Sequence, residues 1–108
     1  MQSRIEKSKD QIINYIMATP EYLDYQRHRE NLRRHPELHE KANRIRLENF
    51  RILENVSKDE LFDEYDRFMQ QYEEDYAITV IHDYLESEAA FCMLMQSIMD
   101  DVMEDIGF

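Results

Sequence analysis

The chain has 108 residues, a net charge of -11, one glycine, two prolines and one cysteine. That length fits a single domain, 1–108, with a modest core, and a hydrophobic content of 43% separates it from a disordered acidic tail. The lone glycine, Gly107, leaves no interior position for hairpin, phosphate-loop or dinucleotide turns, and Cys92 alone cannot build a disulfide framework or a cysteine zinc site. No apolar run approaches the ~18 residues of a membrane span, and no leader pattern opens the sequence, so the expectation is a cytoplasmic, soluble, all-helical protein.

Ile5, Ile12, Ile13, Ile16 and Met17 recur at helical spacing and predict a first helix over about residues 3–18. Thr19-Pro20 then reads as an N-cap followed by the first helical position, because a proline there forfeits only an N–H that has no partner anyway. The helix it opens, through about Arg34, is weakly apolar, with Tyr22, Leu23, Tyr25 and Leu32 as its inward candidates. His35-Pro36 repeats the device. Proline disfavours helical geometry in the residue before it, so breaks or kinks belong near Thr19 and His35.

From Leu38 the pattern sharpens. Leu38, Ala42, Ile45, Asn49, Ile52 and Val56 alternate steps of four and three, the spacing of a helical seam, and Phe50 and Leu53 are expected to widen the buried face. Asn49 on that seam is a candidate for fixing register or pairing. Ser57-Lys58-Asp59-Glu60 has the form of a capping box and divides two helices near Val56. Leu61, Tyr65, Phe68 and Tyr72 form the next stripe, flanked by Phe62 and Met69, and Glu73-Glu74-Asp75 marks a connection. The β-branched Ile78-Thr79-Val80-Ile81 has no partner strand and reads as the start of a long last helix, about residues 77–106. Its expected seam is Ile78, Ile81, Leu85, Cys92, Met95, Met99, Val102 and Ile106, with Ala89 on the same side. The predicted architecture is an all-α antiparallel bundle of four to five helices with proline kinks and a long C-terminal helix.

The charge is unevenly placed. Residues 1–56 carry 11 Lys/Arg against 9 Asp/Glu, a balance of +2, and residues 57–108 carry Lys58 and Arg67 against 15 acids, a balance of -13. Either the halves pair, or they offer a basic stretch (residues 27–51) and an acidic helix to different partners. Phosphate is repelled by the acidic half, and the basic stretch is interleaved with Glu30, Glu37, Glu40 and Glu48, so direct nucleic-acid binding is not expected.

Candidate chemistry is sparse. His35 and His39 are four apart, but Pro36 lies between them and His28 is across the break; a metal-binding or enzymatic reading using these three histidines and nearby carboxylates is the alternative to a binding module. No histidine is preceded by Glu at the i−3 spacing of ferritin-like di-iron sites. Cys92 sits in Ala89-Ala90-Phe91-Cys92-Met93, a setting that predicts a packed, protonated thiol. The carboxylates occur in crowds, which form solvated faces rather than the isolated, apolar setting of a general acid. No catalytic, cofactor or metal residues are assigned. The candidate interaction surface is Tyr22, Tyr25, Arg29, Arg33, Arg34, Asn49, Phe50, Met95, Met99 and Met103; methionine-rich faces are adaptable and recur at binding surfaces.

Thr19-Pro20-Glu21-Tyr22, Leu32 ahead of His35-Pro36-Glu37-Leu38, Glu48-Asn49-Phe50-Arg51, and Tyr84-Leu85-Glu86-Ser87-Glu88-Ala89 leading into Met93-Leu94-Met95 together resemble the YlbF/YmcA (YheA-like) family of small helical bacterial proteins, over about residues 5–106. The resemblance implies a dimeric all-α regulator without catalytic apparatus. Relatives act in Gram-positive bacteria in complexes affecting competence, biofilm formation, sporulation and ribonuclease-dependent mRNA processing. Some carry a cysteine-rich tail associated with iron–sulfur clusters; Cys92 is this sequence's single cysteine and lies in a different, apolar setting, so no cofactor is expected. The partners implied are other proteins and a second copy of the chain, with no membrane and no small-molecule substrate.

Overall fold

A computed structural model describes residues 3–107. Among them are six α-helices and no strand: α1 (Arg4–Met17), α2 (Pro20–Arg33), α3 (Pro36–Asn55), α4 (Lys58–Gln71), α5 (Glu73–Tyr76) and α6 (Thr79–Ile106). The expected all-α bundle is present, with one element more than the four to five predicted: Glu73-Glu74-Asp75 belongs to a one-turn helix rather than an open connection. The last helix begins at Thr79, with Ile78 as its N-cap.

Both proline sites separate distinct helices. Thr19 caps α2: its Oγ1 accepts from the Tyr22 N–H at 3.3 Å and donates to the Ile16 carbonyl at 2.6 Å, so one hydroxyl ties off the end of α1 and the start of α2. His35 caps α3 by backbone position alone (φ -127°, ψ 79°); its ring turns back to the Asn31 carbonyl at 3.0 Å. The capping box expected at Ser57 does not form, since Ser57 is the N-cap of α4 without a side-chain bond. The box lies instead at α1, where Ser3 Oγ accepts from the Glu6 N–H at 3.1 Å and the Glu6 carboxylate accepts from the Ser3 N–H at 3.4 Å.

The core is small. Leu32, Ala42, Ile45, Ile52, Phe68, Ile81 and Tyr84 are its buried apolar members, with Leu38, Val56, Leu61, Tyr72, Ile78 and Leu85 among those packed on its margin. The α3 seam is therefore the inward face of that helix. Asn49 stays half-buried on it and accepts from the Tyr65 hydroxyl at 2.6 Å, a cross-tie between α3 and α4. Helix α2 runs antiparallel to α6, the most extensive packing in the chain. Tyr22 meets Phe91 with ring centroids 5.6 Å apart, while Tyr25 stacks on Phe91 at 5.4 Å and reaches Tyr84 at 5.9 Å.

Several expected core positions lie outside this core. Leu23 is 55% exposed, so α2 contributes its tyrosines and Leu32 but not Leu23. Phe50 (64%) and Leu53 (58%) face outward instead of widening the α3 core, because α4 and α6 pack on the Ala42–Ile45–Ile52 line only. In α6 the buried line is Ile81, Tyr84 and Ser87, continued by half-buried Phe91, Leu94 and Ile98; the expected seam through Cys92, Met95, Met99, Val102 and Ile106 is exposed. The α2 tyrosines select this face, since their rings lie against Tyr84 and Phe91, about 100° round the helix from Leu85 and Cys92 of that seam. Helix α1 has no buried residue at all.

Truncation separates core from surface. Ile81→Ala and Leu32→Ala should each cost about 2–5 kcal/mol, whereas Phe62→Ala, at a residue 82% exposed, should leave the monomer's stability within about 0.5 kcal/mol. Urea unfolding followed by circular dichroism, compared at equal chain concentration, checks both.

Candidate functional site

The chain exposes 8732 Å². A folded monomer of 13.3 kDa is expected to expose about 6,450 Å². The radius of gyration is 17.3 Å, against about 13 Å for a compact domain of this length and about 17 Å for one of twice the length. The excess of about 2,300 Å² is not polar by default, because large apolar side chains are strewn along it: Ile5, Ile12 and Tyr15 on α1; Leu47, Phe50 and Leu53 on α3; Phe62 and Met69 on α4; Met93, Met99, Val102 and Ile106 on α6.

Two parts of this surface are distinct. The first is an open groove of about 940 Å³ between α3, α4 and α6. Phe50 and Leu53 form one wall, Tyr65, Met69 and Tyr72 the second, and Leu85, Ala89 and Cys92 the third. The Cys92 thiol, expected to be packed, is exposed at this groove. The second part is a pair of projecting helices. Helix α1 touches α2 alone, and from Met99 to the end of α6 every described residue is exposed.

The candidate surface residues divide accordingly. Tyr22 and Tyr25 are half-buried against α6 and help hold the α2–α6 pair, and Arg29 lies over the Tyr25 ring at 5.5 Å within α2. Arg33 pairs with Glu30 at 3.6 Å, and Arg34 is exposed. Asn49 is bonded to Tyr65, Phe50 lines the groove, and Met95, Met99 and Met103 lie on the exposed seam of α6. The groove wall formed by Leu47, Leu53 and Met69 was not among the sequence candidates; their helical spacing also fits a core face, and only the packing decides between the two.

Charges that cross between the halves are partly paired. Lys41 meets Asp75 at 3.6 Å, Arg46 meets Glu88 at 2.9 Å, and Arg51 meets Glu64 at 4.0 Å. The Arg46–Glu88 pair has a third member, since the Tyr84 hydroxyl donates to the other Glu88 oxygen at 3.0 Å. The three histidines are held apart by separate local partners: His28 by Asp24 at 3.3 Å, His35 by the Asn31 carbonyl, and His39 by Asn43 at 3.4 Å. Among the described residues no three His, Cys, Asp or Glu side chains are grouped to hold a metal ion, and no helix is long and apolar enough to cross a membrane.

Two tyrosines next to carboxylates carry a pH signature. The Tyr76 hydroxyl donates to Glu86, and that bond together with partial burial pushes Tyr76 up to about 12. Burial and the neighbouring Glu88 charge also hold Tyr84 above the ordinary tyrosine value. An unfolded tyrosine loses its proton near pH ~10. Above that pH the unfolded chain binds fewer protons than the folded one, so stability falls as pH rises toward about 12. The urea midpoint should therefore hold level up to about pH 10 and decline beyond it. Tyr76→Phe should remove part of that decline and Tyr76→Phe with Tyr84→Phe more of it; a decline of unchanged size in the double variant would contradict this origin.

No curated protein and no solved structure matches the chain. One family does: residues 5–107 match the family described as control of competence regulator ComK, YlbF/YmcA. That span takes in all but the first residue of α1, both proline-started helices, the groove-forming α3 and α4, and the whole of α6. The chain belongs to the YlbF/YmcA family.

Proposed function

We propose that the chain is a non-enzymatic regulatory module that works as a homodimer and acts by binding other proteins, in the manner its family description indicates for competence control. The observation that carries this reading is the row of large apolar side chains left exposed by a chain with a very small core, on a total surface about 2,300 Å² larger than a compact monomer of this mass exposes. A homodimer of ordinary size covers about 800 Å² per chain, and obligate ones cover 1,000–2,500 Å². The excess is thus of the size that a self-association surface covers.

The groove between α3, α4 and α6 has the right form for a second partner. It is concave, walled by aromatic and aliphatic side chains, and rimmed by Arg46, Glu86 and Glu88. An amphipathic helix with apolar residues at i, i+3/i+4 and i+7 is the kind of element that fits such a groove. Control of the competence regulator ComK, the role in the family's description, and the biofilm and mRNA-processing roles that the sequence resemblance implies would be served by such a protein-binding surface.

Light scattering on the purified chain should give twice 13.3 kDa; a strictly monomeric mass at micromolar concentration would count against the homodimer. For the second partner, affinity capture from the native cytoplasm is compared between the unaltered chain and Phe50→Glu with Leu53→Glu. Proteins held by the first and lost, at least tenfold, from the second, with helicity and mass unchanged, support groove binding. Equal capture by both would overturn it.

A further inference from the structure

Helix α1 and the distal part of α6 leave the body from the same end. Tyr22 and Tyr25 lie beside Phe91, so the start of α2 is level with residues 91–93 of α6, and α1 departs there through Ala18 and Thr19. Beyond that level α6 continues without α2 beside it. Helix α1 and residues 93–106 have the same number of residues, about 21 Å each. Their backbones do not approach one another, since the α1 backbone lies close to that of α2 alone.

Each arm has the properties of a helix in want of a partner. Helix α1 is amphipathic, with Ile5, Ile12 and Ile13 on one side, yet buries nothing. A helix of this length is marginal in water unless an apolar face is packed. In residues 93–106, Leu94 and Ile98 are half-buried, while Met95, Met99, Val102 and Ile106 stand in heptad steps on another side, all between 40% and 73% exposed. The net charges differ in sign: α1 carries Arg4, Lys7 and Lys9 against Glu6 and Asp10, a balance of +1, its three cations forming no ion pair among the described residues, and residues 93–106 carry Asp100, Asp101, Glu104 and Asp105 with no Lys or Arg. Two distal arms placed side by side would set these carboxylates against each other, whereas α1 brings cations to them.

We propose that in the homodimer α1 of each copy packs along residues 93–106 of α6 of the other, forming two equivalent exchanged contacts about one two-fold axis. This inference rests on the homodimer reading above and specifies its interface. It also explains why neither arm closes onto its own chain: the same surface serves both copies reciprocally, as a two-fold interface requires.

Disulfide trapping tests the pairing in a Cys92→Ser background. Copies carrying Ile12→Cys are mixed with copies carrying Met99→Cys, both near the middle of their arms, so either helix direction brings them within reach. Mild oxidation should give the mixed 12–99 species in at least tenfold excess over either like-with-like species. Predominant 99–99 bonding would overturn the proposal in favour of paired α6 arms. A bond between Met99→Cys and Phe50→Cys, with no 12–99 product, would overturn it in favour of α6 lying in the groove. No mixed product in a proven dimer would overturn it outright. As a second measurement that leaves the apolar contacts intact, Arg4→Glu with Lys9→Glu should weaken dimerisation about tenfold or more, and adding Asp101→Lys with Asp105→Lys to the same chain should restore it. No weakening, or no rescue, would also overturn the pairing. A monomeric mass for the unaltered chain would remove the homodimer reading itself, an outcome light scattering distinguishes from a dimer with the wrong pairing.

Discussion

The antiparallel contact between α2 and α6 is the constraint on which the remaining structure depends. Proline at position 20 starts α2 and proline at position 36 starts α3, so the chain turns twice within twenty residues and returns α2 along α6. The contact is aromatic where it is strongest, with Tyr22 and Tyr25 set around Phe91 and Tyr84. Tyr84 is also bonded through Glu88 to Arg46 of α3, so the same residue ties the third helix to the pair. Removing the Tyr84 side chain would open a cavity and take the third member from the Arg46–Glu88 pair at once.

The helices and their starts were legible in the sequence because they depend on local rules: proline at the first position, threonine before it, and apolar residues at steps of three and four. The α3 seam was legible for the same reason, and Ala42, Ile45 and Ile52 are indeed buried. What was not legible is which of two plausible faces each helix turns inward. On α6, Ile81-Leu85-Cys92-Met95 and Ile81-Tyr84-Ser87-Phe91 both obey helical spacing; the second is buried because the α2 tyrosines stack on it. Hydrophobicity alone ranked the methionines above Tyr84 and Ser87, although Ser87 satisfies its hydroxyl on the Tyr84 carbonyl at 2.8 Å and so is buried at little cost.

The charge division has a structural answer in two parts. Within the body, the basic stretch is matched against the acidic half through Lys41, Arg46 and Arg51, and also against its own neighbours, as in Arg27–Asp24 and Arg44–Glu40. These pairs are largely exposed, so each contributes little to stability, and only the Lys41, Arg46 and Arg51 pairs with the acidic half bear on which helices lie together. Beyond the body, the carboxylates at the end of α6 are left without cations, and like charges gathered on a helix C-terminus also oppose its dipole. An element that is apolar on one face and unfavourably charged at its end is stabilised most by a cationic partner.

A core of this size leaves folding and assembly coupled. Burial within one chain is limited to one residue each on α2 and α4 and three each on α3 and α6, while α1 buries none and the end of α6 from Met99 on is exposed throughout the described residues. Where exposed apolar surface is covered only by another protein, stability depends on the concentration of that protein. On the proposed homodimer reading, association would cover that apolar surface, and the stability of the chain would rise with its own concentration.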